Sequence, residues 1–351
     1  MSCIKNKTCK MDQNTCAVFM KHTKKQMSTI LHLTDRCNES CEYCWHKDKL
    51  HDSSNDMKIE HIDNLYHFIK KEFPDHLLSF SFMGGEPSLV LDIVRYTINK
   101  ITSNEERYTF LYLTNLVIIP DENTLDLFKK SNVKLVVSIP KHSSKLYLLR
   151  KNNIIKLLKK YDGTIIFNYV LNEHDDIEDM IKTWYTEVGI TEMGIVVEYG
   201  QYNFREDLEL YKKELTHKLK MIYSSPLNKY GKYHTTSKIH PYEFIKDETK
   251  KPCEYENINV SYFANGKFYQ STRDKFFNND AIGDIKNGID FDKLRDYYKS
   301  IPCFNCPERF KNCSPDPASF MSNNIAHDNK TSCIGAMIRR DIKYNTIDFK
   351  R

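Results

Sequence analysis

Thr29-Ile30-Leu31-His32-Leu33-Thr34-Asp35-Arg36-Cys37-Asn38-Glu39-Ser40-Cys41-Glu42-Tyr43-Cys44 is the stretch on which the reading of this chain turns. Its first five residues are mostly apolar or β-branched and read as a strand. Three cysteines follow at once, in the pattern Cys-x3-Cys-x2-Cys. Three thiolates from one short loop can hold three irons of a 4Fe-4S cluster and leave the fourth iron open to a further ligand. A structural zinc site is the alternative, because zinc closes its shell with four ligands and His46 could supply the last.

Beyond the loop, short β-branched or aromatic runs alternate with segments of helical period up to about residue 198, the pattern of repeated βα units around a parallel sheet. The expected strands are Thr29 to Leu33, Leu78 to Met83, Tyr108 to Leu113, Val133 to Ile139, Thr164 to Val170 and Glu192 to Val197. Ile59, Ile62, Tyr66, Ile69 and Phe73 recur at helical spacing, as do Ile177, Met180, Ile181, Trp184 and Val188, and both sets are expected in the core. A further helix is expected over 204–223, with no strand after it and no clear period as far as Pro252. Beyond that boundary, 258–263 and 267–270 flank Asn265-Gly266, the signal of a type I′ hairpin. If the sheet is parallel, the cysteine loop lies at its carboxyl end, where barrel enzymes place their chemistry.

Composition narrows the function. With 351 residues, 40% of them hydrophobic, the chain can bury a full core, and a net charge of +5 argues against a dedicated nucleic-acid binder. Much of that charge sits in Lys5, Lys7, Lys10, Lys21, Lys24 and Lys25, so residues 1–27 read as a basic, solvated arm. No apolar stretch approaches the roughly 20 residues of a membrane span, and no signal peptide is evident, so a cytoplasmic location with no membrane is expected. Eleven cysteines in a reducing compartment point to metal ligation rather than disulfides.

Phe82-Met83-Gly84-Gly85-Glu86-Pro87 ends the second expected strand; its paired glycines let backbone approach a ligand closely, and Glu86 can face a cation. With these residues the chain resembles the radical S-adenosylmethionine superfamily, over roughly residues 28–200. The resemblance implies a partial (β/α)6 TIM barrel. It implies that Cys37, Cys41 and Cys44 hold a 4Fe-4S cluster whose open iron chelates the methionine moiety of S-adenosylmethionine. The turn at Gly84, Gly85 and Glu86 would receive the amino group, and Tyr43 would lie beside the adenine. Thr114 and Asn115 stand where members often read Thr-Asn-Gly, with Leu116 in place of the glycine. Ser138 stands where many read Ser-Leu-Asp-Gly, though Ile139-Pro140-Lys141 departs from that run. The implied chemistry is one-electron cleavage of the sulfonium bond and hydrogen abstraction from a substrate, the protein positioning the radical.

Cys303-x2-Cys306-x6-Cys313, followed by Cys333, offers four more thiolates, and Ala281 to Ile285 resembles the lead-in to a SPASM or twitch extension. A full SPASM domain holds two auxiliary clusters. Here Cys253 and Gly266 fit its start, but Ser271 and Pro317 replace ligands of the inner one. One auxiliary 4Fe-4S cluster on Cys303, Cys306, Cys313 and Cys333 is therefore expected, with zinc on the same ligands as the alternative. Cys3, Cys9, Cys16 and Cys253 remain, either as plain thiols or as ligands of a third cluster. Members that mature sulfatases carry an Asp where Thr272 stands, which argues against that activity. The domains read as 1–27 basic arm, 28–200 barrel, 201–252 helical linker and 253–351 extension with an auxiliary cluster.

The leading function from the resemblance is an enzyme that abstracts a hydrogen from a peptide or protein residue, leaving a crosslink, an epimerised centre or an oxidised residue. About 28 residues precede the first strand, too few for the leader-binding domain that many such maturases carry, so a separate recognition protein is expected. A flavodoxin or ferredoxin would supply electrons. The alternatives are a twitch-type dehydrogenase or isomerase acting on a sugar or nucleotide, and a non-catalytic metal-binding module. Tyr199, Glu198 and Asn168 are weak catalytic candidates at expected strand ends.

Overall fold

The computed structural model describes residues 25–41, 44, 53–171, 175–197, 217–218, 232–235, 257–276 and 278–300. Residues 1–24 of the N-terminal arm, Tyr43, His46, Glu198, Tyr199, most of 204–223, and Cys3, Cys9, Cys16, Cys253, Cys303, Cys306, Cys313 and Cys333 lie outside them, while Gln26 and Met27, read as the end of that arm, open the first strand.

Strands and helices alternate through the first part of the chain. They are β1 (Gln26–His32), α1 (Ile59–Glu72), β2 (Leu77–Met83), α2 (Leu91–Asn104), β3 (Tyr108–Thr114) and α3 (Glu122–Lys130). Then come β4 (Lys134–Ser138), α4 (Tyr147–Lys160), β5 (Ile165–Leu171), α5 (Ile177–Thr183), which ends in a π turn over Trp184–Val188, and β6 (Glu192–Val197). All six expected strands are present, and each pairs parallel with the next in sequence order. This is the α/β architecture of a partial TIM barrel.

Alternation along the strands sorts the two faces of the sheet. Phe80, Phe82, Phe110, Tyr112, Val137, Phe167 and Tyr169 are buried on the face that packs the helices, with the Tyr112 ring 4.9 Å from that of Phe128 of α3 and tilted 49° to it. On the other face Ser81, Met83, Leu111, Leu113, Ser138 and Asn168 are half-buried. α1 buries Ile62, Leu65, Phe68 and Ile69, each contributing about 1.5–3 kcal/mol relative to exposure. Ile59, expected in that core, is 48% exposed at the first position of the helix. Of the second expected set, Ile177, Met180, Ile181 and Trp184 are buried, and Val188 packs against them partly exposed.

The sheet extends further than the sequence pattern indicates. β7 (Lys232–Thr235) pairs parallel with β6, so a strand lies inside the segment read as a helical linker. At the other edge β8 (Asn257–Phe263) runs parallel to β1 in full register, Gln26 opposite Asn257 and His32 opposite Phe263. The extension therefore adds to the barrel sheet instead of standing apart from it. β9 (Lys267–Tyr269), α6 (Thr272–Phe276), β10 (Gly283–Asp284), β11 (Gly288–Ile289) and α7 (Phe291–Ser300) follow, and the described strands form one sheet of order β11-β10-β9-β8-β1-β2-β3-β4-β5-β6-β7.

The β8–β9 hairpin is present, but its turn is not type I′. That turn needs positive φ at both central residues, and Gly266 alone has it, at 73°. Gly266 N donates to Phe263 O at 3.0 Å, closing a three-residue loop with glycine at its left-handed position. Asn265 uses its side chain instead, Oδ1 accepting from Lys267 N at 3.0 Å. Among the described residues no helix is long and apolar enough to cross a membrane.

Candidate active site

The cysteine loop leaves the carboxyl end of β1, next to the end of β2. Leu33 N donates to Met83 O, Gly85 N to Thr34 O and Glu86 N to Arg36 O, all at 2.8 Å, so the loop's root is stitched to the Gly-Gly-Glu-Pro turn by backbone alone. This is what the two glycines are for. A Cβ on Gly84, whose φ is +150°, would lie 2.5 Å from Thr34 O, and one on Gly85 would lie 2.1 Å from Arg36 O. The glycine pair thus allows a close approach to residues 34–36 of the chain itself.

Glu86 also differs from a carboxylate facing a bound cation. It is 1% exposed; Oε1 accepts from Ser88 N and Thr114 Oγ1, and Oε2 from Asn115 N at 2.7 Å. It caps the short turn that opens with Pro87, and it ties that turn to the end of β3. Burial pushes its pKa up, while the bonds from Asn115, Ser88 and Thr114 oppose the shift. Thr114 is itself buried, with its hydroxyl spent on Glu86 and on Leu116 N. Both side chains thus build the rim of the site.

Asn115 faces the loop directly. Its Nδ2 lies 2.8 Å from Asn38 Oδ1 and 3.7 Å from Cys37 Sγ. The next residue, Leu116, has φ 58°, the left-handed conformation suited to the glycine of Thr-Asn-Gly, and its side chain is fully buried. Ser138 ends β4 as expected, half-buried. Asn168 does not end its strand: it sits inside β5, opposite Ser138 and Gly194, with its Oδ1 buried and unbonded among the described residues. The stagger of parallel strands places it level with the end of β4.

Cys37, Cys41 and Cys44 form no disulfide among the described residues, and each is half-buried. Cys44 N donates to Cys41 O at 3.0 Å, turning the second and third toward each other, and Cys37 is close enough to Cys44 for their charges to interact. Burial, reinforced by Glu86, Cys44 and Glu39, pushes the Cys37 thiol up to about 11 against a bond to the Glu39 backbone. A lone thiolate is disfavoured there, and a cation that neutralises it is favoured. Among the described residues no three His, Cys, Asp or Glu side chains converge on a point that could hold a single ion. Three soft donors in one loop, backed by buried acids, fit a cluster held at three corners.

Polar groups that the sequence reading did not single out anchor the loop. Asp56 accepts from Thr34 Oγ1 and from Nη2 of Arg36, both at 2.5 Å. Asp35, fully buried two residues before Cys37, receives His32 Nε2 at 2.7 Å, Asn55 Nδ2 at 2.7 Å and Lys275 Nζ at 3.3 Å. Lys275 comes from α6 and lies over the ring of Phe263, which stacks on His32 at 4.5 Å. The extension therefore reaches the root of the cysteine loop. In sequence, the one local signal for Asp35 and Asp56 is their nearness to the cysteines.

The model of the radical SAM superfamily matches residues 31–190. Residues 31–190 form a radical SAM domain. The cofactors that define such a domain are S-adenosylmethionine and a 4Fe-4S cluster, and the donor set above fits them. The GTP 3′,8-cyclase of Clostridium perfringens is 26% identical over 206 residues, 52% of this chain and 61% of that protein. An uncharacterized protein of Methanocaldococcus jannaschii is 27% identical over 112 residues, 31% of this chain and 37% of that one. The chain thus spans less than two thirds of either curated relative. Native anSMEcpe with bound AdoMet and Cp18Cys peptide shares the fold, at TM-score 0.60 and 16% identity, over 92% of this chain and 99% of that one.

Proposed function

We propose that this radical SAM domain belongs to an enzyme that cleaves S-adenosylmethionine reductively and abstracts hydrogen from a peptide or protein residue. The observation that carries the reading is the cysteine loop at the carboxyl end of β1, bonded through Asn115 and Glu86 to the ends of β2 and β3. When bound, the cluster and S-adenosylmethionine would supply one-electron cleavage of the sulfonium bond and, from it, the power to abstract hydrogen from substrate.

The chain's own part is to hold the loop. Cys37, Cys41 and Cys44 would hold three irons, their thiols giving up protons on ligation. Asn115 and the turn of Gly84, Gly85 and Glu86 would serve the methionine moiety of S-adenosylmethionine, and Ser138 and Tyr43 are the proposed contacts farther along the cofactor. Asn168, beside Ser138 on the half-buried face of the sheet, is a candidate for substrate contact, with Glu198 and Tyr199 as further candidates.

A peptide substrate is supported by the likeness in fold to anSMEcpe, whose structure has a bound Cp18Cys peptide. A small-molecule reaction is the second reading, supported by the match to a GTP cyclase over half the chain. One auxiliary 4Fe-4S cluster on Cys303, Cys306, Cys313 and Cys333, a flavodoxin or ferredoxin donor, a separate leader-recognition protein and a cytoplasmic location complete the proposal. Anaerobic protein with dithionite is expected to convert S-adenosylmethionine to 5′-deoxyadenosine, and Cys41→Ser to abolish it. Equal product from the variant would refute the reading.

A further inference from the structure

Arg150 is 1% exposed in the first turns of α4, and all three of its nitrogens are engaged. Nε donates to Asn115 O at 2.6 Å, Nη2 to Ser138 O at 2.5 Å, and Nη1 to Glu39 Oε2 at 2.6 Å. Asn115 follows β3, Ser138 ends β4, and Glu39 sits between Cys37 and Cys41. One planar guanidinium therefore joins the ends of two strands to the middle of the cysteine loop.

The other Glu39 oxygen accepts from Ser144 Oγ at 2.7 Å, and the carboxylate is 7% exposed. One turn along, Asn153 Nδ2 donates to Leu116 O and Val117 O at 3.1 and 3.0 Å, holding the left-handed turn after Asn115 from the same helix face.

A buried ion pair is a poor device for stability alone, since the cost of desolvating both charges offsets their attraction and an apolar pair of similar volume serves as well or better. What it supplies is direction. An Arg fork fixes three acceptors in one plane, which neither Lys nor an apolar side chain can do. We infer that Arg150, through Glu39, is a positioning residue that sets the cysteine loop against Asn115 and Ser138, and so sets the open corner of the cluster against its cofactor. This rests on the proposed function for its consequence, but not for its geometry.

The test compares the full chain with Arg150→Lys, Glu39→Gln and the double variant. In metal-free protein, amide exchange at 37–41 and 115–118 is expected to rise about tenfold in both single variants, with the rest of the sheet unchanged. After anaerobic reconstitution each variant should retain its iron, bind S-adenosylmethionine about tenfold more weakly, and lose the shift in the cluster's paramagnetic spectrum that the cofactor causes. The double variant should be no worse than the worse single one. Lys156→Ala, on the exposed side of α4, serves as the control and should match wild type.

Unchanged exchange in both loops would overturn the inference. So would a defect in Arg150→Lys alone, because the arginine would then act without Glu39. If wild type itself gives no response to S-adenosylmethionine, the proposed function fails, while the exchange measurement still judges the strut.

Discussion

A methyl group at residue 85 would press on the Arg36 carbonyl, a backbone atom bound into the loop's own root, so the cysteine loop would have to move to admit it. Gly85→Ala is expected to cost about 1–3 kcal/mol, as overpacking does, and to lower iron incorporation, measured by urea unfolding and by iron analysis. Leu116 poses the opposite balance. Its left-handed backbone costs about 1–2 kcal/mol, but its side chain is wholly buried, and losing such a side chain costs about 2–5 kcal/mol. Leu116→Gly should therefore destabilise, although it removes the strain; a higher urea midpoint would show that strain dominates. At this scale the placement of the cysteines and of the glycine pair just past the ends of β1 and β2 was legible, because both follow runs that read as strands. Arg150, Glu39 and Asp35 were not, since a charged residue in a sequence is ordinarily solvated and only the fold shows it buried.

Helices were readable where the apolar period agrees with burial, and misleading where it does not. In α4 the run Tyr147-Leu148-Leu149-Arg150 turns Leu148 outward, 70% exposed, and buries Arg150, because the strand ends it packs against present carbonyls rather than side chains. α3 is opened by Asp121, whose carboxylate accepts from Thr124 N at 2.9 Å. That bond, with the Thr124 hydroxyl and Arg95, holds Asp121 below its usual value of 3.8. A depressed carboxylate contributes its stability above the unfolded pKa and loses it as pH falls through the folded one. Asp121→Ala should cost about 0.5–2 kcal/mol at neutral pH, and its deficit relative to wild type should shrink below about pH 4. Thermal unfolding across that range would check it, and a deficit that grows in acid would contradict it. The hairpin was legible in existence but not in turn type, since Asn265 had two ways to stabilise a turn and took the side-chain one.

For the molecule as a whole, the parallel sheet followed from alternation in the sequence and its closure toward a barrel from the family resemblance, but the join between barrel and extension followed from neither. A parallel neighbour such as β8 is separated from β1 by more than 200 residues, and no local pattern encodes which edge it will choose. The pairing predicts that amides of 257–263 are protected from exchange as strongly as those of 26–32; protection lower by about a hundredfold would show the extension opening independently. Lys275 gives this join a functional side, since it brings a cation from the extension to the root of the cysteine loop. The central claim is that the loop of Cys37, Cys41 and Cys44 presents a cluster with one corner open to S-adenosylmethionine. The measurement that tests it most directly is the paramagnetic spectrum of the reduced, anaerobically reconstituted protein, recorded with and without S-adenosylmethionine, in wild type and in the triple Cys→Ala variant at those positions. The account predicts a 4Fe-4S signal that shifts on adding the cofactor in wild type and a shift that is absent in the variant. A wild-type signal indifferent to the cofactor, or a variant that responds as wild type does, would contradict it.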